Sequence, residues 1–220
     1  MKRLILSTIG FLTLLTISSF TPEVRVINLH KQVKNKGIEI VNREMSLIKE
    51  RSHKGIRLSK AYGEGIAWIK GIEFSTGIIE FDVRGENIKQ HSFVGIAFHG
   101  KDTTTFDAIY LRPFQFKESD ETLRSRSIQY ISLPDYTWRV LRAKFPTKFE
   151  HAIDPSPEPD SWVRVRIVIE KSTISTFING NKEPSLVVEK MGNVTSGLVG
   201  FYVADTSGGD FSNLTITKID

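Results

Sequence analysis

The chain has 220 residues, 40% hydrophobic and 25% charged, which excludes a disordered or membrane-embedded protein and suits one all-β domain behind a leader. Its formal charge of +5 comes from scattered Lys and Arg rather than a basic stripe with interleaved aromatics, so nucleic acid is not an expected partner. It has no cysteine, so the fold must be held by its core alone, without disulfides or a lipid-bearing cysteine.

Lys2 and Arg3 precede the uncharged run LILSTIGFLTLLTI, and the small residues Ser18 and Ser19 follow. A positive start, a short apolar run and small residues make a secretory signal peptide. The run is too short for the ~20 residues of a membrane-spanning helix. Residues 1–20 are therefore expected to be removed, with the new amino terminus between Ser18 and Pro22. Two positive charges go with them, leaving +3 on a single mature domain of residues 21–220. The expected product is an exported bacterial protein, periplasmic or extracellular, with no membrane contact in its mature form.

Strand signals fill most of the mature chain. GIRLS, GIAWIKG, GIIEFDVRG, SFVGIAFHG, FDAIYLRPF and RSIQYISL are each bounded by Gly, Pro or polar turns. SWVRVRIVIE alternates, putting Val163, Val165, Ile167 and Ile169 on one face and Arg164 and Arg166 on the other. STISTFINGNKEPSLVVE reads as two strands around Asn179-Gly180, a dipeptide that accepts the positive φ of a tight turn. SGLVGFYVAD and DFSNLTITKI are joined through Thr206-Ser207-Gly208-Gly209. Ten or so short strands predict an antiparallel two-sheet jelly-roll sandwich. Residues 134–160 interrupt it, without alternation. Asp135 is the expected cap of one short helix carrying Trp138, Leu141 and Phe145, and Pro155, Pro157 and Pro159 then impose an extended loop. An insertion this long is either functional or a lid over the end of a core.

From Gly77 onward GIIEFDVRG, SFVGIAFHG, WVRVRIVIE, TFING, SGLVGFYV and GGDFSNLTI, in that order, resemble the concanavalin A-like lectin/glucanase fold, including its laminin-G-like jelly rolls. The resemblance runs over roughly residues 37–219 and implies fold more than function, because this architecture hosts lectins, glycosidases, lyases and adhesion modules. Glucanases of this fold carry E-x-D-x-x-E or E-x-D-x-E on one strand. Here Glu80 and Asp82 are followed by Arg84 and Gly85, where the second glutamate would stand. Side chains at i and i+2 of a strand point the same way and cannot bracket a glycosidic bond, and Arg84 beside Asp82 would keep the carboxylates ionised. The pair is expected to be a polar strand face.

No nucleophile elbow, phosphate loop or H-x-x-x-H spacing occurs, so no catalytic residue, metal or cofactor is implied. Asp205 and Asp210 flank TSGG and could supply oxygen ligands to Ca²⁺, but two carboxylates are few for that ion and turn chemistry explains them more cheaply, so the sequence leaves a Ca²⁺ site there open. Binding residues are easier to nominate. Tyr110 and Arg112 share a strand face, Tyr202 lies opposite the core-facing Phe201, and Gln129 or Tyr130 joins them according to which face of its strand turns inward. Trp138 on the insertion and His99 at a strand end complete the candidates, although a solvent-facing strand end explains His99 as well. Aromatic rings stack on pyranose faces, while guanidinium and amide groups bond hydroxyls. The expected partner is an oligo- or polysaccharide, bound without catalysis. A glycoside hydrolase or lyase using carboxylates gathered by folding, and an adhesion module with an apolar outer sheet, are the alternatives.

Overall fold

The computed structural model describes residues 22–219; the expected signal peptide lies outside them. In chain order the first strands are β1 (Glu23–Val26), β2 (Ile38–Val41), β3 (Met45–Lys49), β4 (Lys54–Leu58), β5 (Gly65–Phe74), β6 (Gly77–Arg84), β7 (Val94–Gly100) and β8 (Phe106–Leu111). They continue with β9 (Ile128–Leu133), β10 (Glu150–His151), β11 (Val163–Ile169), β12 (Thr173–Ile178), β13 (Leu186–Glu189), β14 (Gly197–Val203) and β15 (Gly209–Lys218). The helices are α1 (Leu29–Lys34), α2 (Glu121–Arg124) and α3 (Trp138–Lys144), with a 3-10 turn at Pro113–Gln115.

Two antiparallel sheets stack face to face. The first runs β13-β12-β11-β6-β15-β4-β3, with β1 also paired to β15; the second runs β10-β9-β8-β7-β14-β5-β2. Alternation sets what each contributes to the core. On β11, Val163, Val165, Ile167 and Ile169 are buried while the residues between them are half-buried. Register pairs Val165 with Phe81 and Ile167 with Ile79, so β6 delivers its core residues to the same layer. Phe201 comes from the second sheet and stacks on Phe211 of the first, with ring centroids 4.6 Å apart. That contact joins the sheets.

Several local features differ from expectation. Among the described residues three helices form instead of one, because α1 and α2, of six and four residues, are too short to show a period. Helix α3 does occupy the long insertion, but Thr137 caps it by accepting from the Val140 amide, not Asp135. Asn179 and Gly180 take φ of 53° and 76° and the Asn181 amide closes the turn onto Ile178, yet β13 resumes pairing only at Leu186. Glu80 and Asp82 do lie on the outer face of the first sheet, but Arg84 is not the partner of Asp82. Cross-strand register puts Arg164 opposite Asp82, where it donates to the carboxylate at 3.2 Å, and Asn213 donates at 2.6 Å. Arg84 turns to Glu50 and Asp210 instead.

Candidate functional site

The face of the second sheet that turns away from the core is itself lined with aromatics. Register places Tyr110 beside Gly95, and Gly95 beside Tyr202, so side chains of β8 and β14 share that face. Trp68, Phe106, Tyr202, Tyr110 and Phe93 follow one another along it, with ring centroids 5.6 to 6.1 Å apart. Close approach of the rings needs missing side chains: a Cβ on Gly200 would come within 2.7 Å of the Trp68 ring.

Loops and α3 build this face into a cleft of about 570 Å³, within the usual range for ligand sites. Tyr110, Arg112 and Tyr202 form its floor, Trp138 and Arg142 come from α3, and Leu123 and Arg126 come from the segment around α2. Lys89 and Phe93 enter from the β6–β7 loop, and Glu64 and Asp205 from the loops before β5 and after β14. Arg43 ties the last two loops together by donating to Gly63 O at 2.7 Å, Asp205 O at 2.9 Å and Ser207 O at 3.1 Å.

Of the seven residues nominated from sequence, four meet here: Tyr110, Arg112, Trp138 and Tyr202. Gln129 sits behind them, accepting from Arg112 Nη2 at 3.1 Å and donating to Tyr130 O and Phe149 O. Tyr130 faces the other way. It pairs with Ile109 and is fully buried, and its hydroxyl donates to Asp107 at 2.9 Å. His99 neither lines the cleft nor faces solvent: it is 1% exposed, 2.9 Å from Asp107 and 2.7 Å from Ser75 O. The cause is a bulge, where Phe98 and His99 of β7 oppose Val199 alone on β14 and alternation breaks.

The aromatic roles also shift. Tyr110 is 2% exposed, with the Arg112 guanidinium 5.0 Å from its ring centroid, so it has little surface left for a sugar. Trp138 also carries guanidinium groups, Arg142 at 4.9 Å and Arg139 at 5.3 Å from its ring centroid, but at 41% exposure it still offers surface to a ligand. Burial pushes the Tyr110 and Tyr202 hydroxyls above the usual phenol range, so both stay protonated at neutral pH, Tyr110 accepting from Arg112 and Tyr202 donating to Glu64. Burial likewise raises the Glu64 carboxyl, more than the Tyr202 hydroxyl bond and the Arg43 charge lower it.

One cluster escaped sequence reasoning. Glu150, 6% exposed, takes a two-pronged bond from Arg142, whose Nε donates at 2.8 Å. Arg112 and Arg126 each stand 3.7 Å from the same carboxylate. Arg142 was within reach of the sequence, four residues after Trp138 on an expected helix. Arg126 and Glu150 carried no such signal. Elsewhere, Asp210 accepts from Arg57 and Arg84 and is the centre of an ion-pair cluster.

No family model and no curated protein matches this chain. Solved structures do. It is similar to the carbohydrate binding module CBM66 from Bacillus subtilis, with a TM-score of 0.60 and 11% identity over 82% of this chain and 95% of that one. A Bacillus subtilis protein of unknown function with a galectin-like fold gives 0.55 and 18% over 90% and 98%. The VIP36 exoplasmic/lumenal domain in its Ca²⁺/Man3GlcNAc-bound form gives 0.53 and 11% over 82% and 83%.

Proposed function

We propose that this concanavalin A-like jelly roll is an exported carbohydrate-binding domain that seats its ligand in the cleft under α3 and does not cleave it. The carrying observation is Trp138, an exposed aromatic held on a capped helix beside a floor of buried hydrogen-bonding groups. An apolar ring face needs such a platform, and sugar hydroxyls need donors whose geometry is set in advance. The similar structures include a carbohydrate binding module and a domain with bound Man3GlcNAc, which supports the reading. A glycan array on the mature domain identifies the ligand. Calorimetry of Trp138→Ala against it is expected to show a loss of about 1–3 kcal/mol in binding at unchanged melting temperature. An array with no binder overturns the reading.

Glu64 favours a second reading, hydrolysis. Its residue is exposed at the cleft rim, yet its carboxyl is partly desolvated beside the Tyr202 hydroxyl and raised above the ordinary value, in the same cleft as Asp205, a setting a general acid could use. Release of reducing ends from the bound polysaccharide, abolished in Glu64→Gln, would establish it. The outer sheet offers little to the adhesion alternative. Its middle carries Glu80, Asp82, Arg164 and Arg166, and its exposed apolar side chains are scattered, Leu47 and Val187 on edge strands and Val24 and Val26 on the short β1. No helix among the described residues is long and apolar enough to cross a membrane. Recovery of exported protein with its amino terminus between Ser18 and Pro22 is the expected mark of the leader; an intact Met1 there would exclude cleavage.

A further inference from the structure

We infer that the cleft selects an anionic saccharide and holds its charged group, a uronate carboxylate or a sulfate ester, on Arg126 and Arg142; this rests on the proposed carbohydrate binding. The charge balance of the cluster is the starting point. Three guanidinium groups face one buried carboxylate, Glu150, at ion-pair distance. Within ion-pair distance the cluster thus carries a surplus of two positive charges, in a partly desolvated site where repulsion between them is less screened than in water.

The three arginines are not equivalent. Arg112 is 4% exposed and its end nitrogens are engaged: Nη1 donates to Arg126 O at 2.6 Å, Nη2 to the Tyr110 hydroxyl at 2.9 Å and to Gln129 at 3.1 Å. It is a fixed part of the floor. Arg142 uses Nε and Nη2 on Glu150, which leaves Nη1 without a partner among the described residues. The Arg126 guanidinium has no hydrogen-bond partner among them at all, only the 3.7 Å approach to Glu150. These two side chains are 28% and 25% exposed, open enough for a ligand to reach.

Free guanidinium donors with surplus charge match the oxygens of a carboxylate or sulfate, for which a planar fork gives both energy and orientation. A neutral glycan would use the hydrogen bonds and leave the surplus charge uncompensated. The position fits a sugar substituent too, since Arg142 lies 4.9 Å from the centroid of the Trp138 ring. Arg139 also lies over this ring, at 5.3 Å, so a pyranose would meet the part of Trp138 that the two arginines leave exposed, with an acidic group at its edge within reach of Arg142. Of the other cations here, Lys89 already faces Glu118 at 3.7 Å. The cleft acids Glu64 and Asp205 make no ion pair with Arg126 or Arg142 among the described residues, so the donors of these two arginines remain open to an anion.

The test is calorimetry of the mature protein with tetrasaccharides of galacturonate, mannuronate and glucuronate, their neutral methyl esters, sulfated galactan tetrasaccharides and neutral glucan and mannan tetrasaccharides. At least one acidic series is expected to bind, about 10-fold or more tighter than its uncharged counterpart, with affinity falling as salt rises. The uronate and sulfate arms identify which group is read. Arg126→Gln spares the Arg142–Glu150 pair, so it should weaken acidic binding by about 10-fold at unchanged melting temperature, with Arg126→Lys only partly restoring it. Arg166→Gln removes the same charge from the outer sheet and should leave affinity unaltered. Equal affinity for acid and ester, or binding of neutral glycans alone, overturns the anionic reading while carbohydrate binding stands. If no saccharide of any arm binds, both fall.

Discussion

Tyr110 and Trp138 were nominated for the same task, and their surroundings divide it. A side chain at 2% exposure, wedged among Phe93, Tyr202 and Arg112, is part of the protein's own packing. Tyr110→Ala is therefore expected to cost about 3–5 kcal/mol of stability, as large buried aromatics do when truncated. Tyr110→Phe is the sharper probe, because it keeps the volume and removes only the hydroxyl that accepts from Arg112. Denaturant titration of Tyr110→Ala beside Trp138→Ala should give a large and a small loss respectively; comparable losses would refute the division. Asp82 obeys the same logic. Its bonds to Arg164 and Asn213 tie it into the outer face of the first sheet.

At the scale of elements, β11 was fully legible. Its alternating sequence names the inner and outer faces without reference to the rest of the chain, and burial tracks that pattern residue by residue. Val165→Ala and Ile167→Ala should each cost roughly 1–4 kcal/mol, whereas Arg166→Ala, on the half-buried face, should cost far less. Equal costs at 166 and 167 in chemical denaturation would contradict the assignment. Strand β7 was legible only up to Ala97. A bulge is a relation between two strands, fixed by how β7 and β14 fit, so His99 turned to Asp107 against simple alternation. Helix α3 was readable as a helix from its apolar spacing, while its start depended on whether Asp135 or Thr137 met the free amides.

For the molecule as a whole, two carboxyls give stability opposite dependences on pH. Burial alone would raise Asp210, but hydrogen bonds and charge from Arg57 and Arg84 outweigh it and hold the carboxyl below its ordinary value of 3.8. A depressed pKa stabilises the fold above 3.8, and that contribution is lost as pH falls through the folded value. Glu64 has the reverse sign: raised by burial above 4.5, it is harmless below that pH and costs stability as pH climbs through its folded value. In melting curves from about pH 3 to about pH 8, the deficit of Asp210→Asn should shrink towards acid. The advantage of Glu64→Gln over the unaltered protein should grow as pH rises above 4.5. Curves that stay parallel to the unaltered protein across the range would show that neither carboxyl is shifted.

Periodicity, turn dipeptides and the order of strand motifs were enough for the jelly-roll class, because each is written in contiguous residues and reports on local backbone preference. They were also enough to place Tyr110 and Tyr202 on one side of their strands and Phe201 on the other. Only tertiary structure decided which segments meet. Arg112, Arg126, Arg142 and Glu150 lie on or beside four different elements, and their charges interact because β8, α2, α3 and β10 converge at one end of the second sheet. Side-chain spacing along a strand or helix cannot encode that convergence. It arises from burying two sheets against each other and folding the long insertion back over β9, and from that packing come the cleft, the covered face of Tyr110 and the surplus of positive charge.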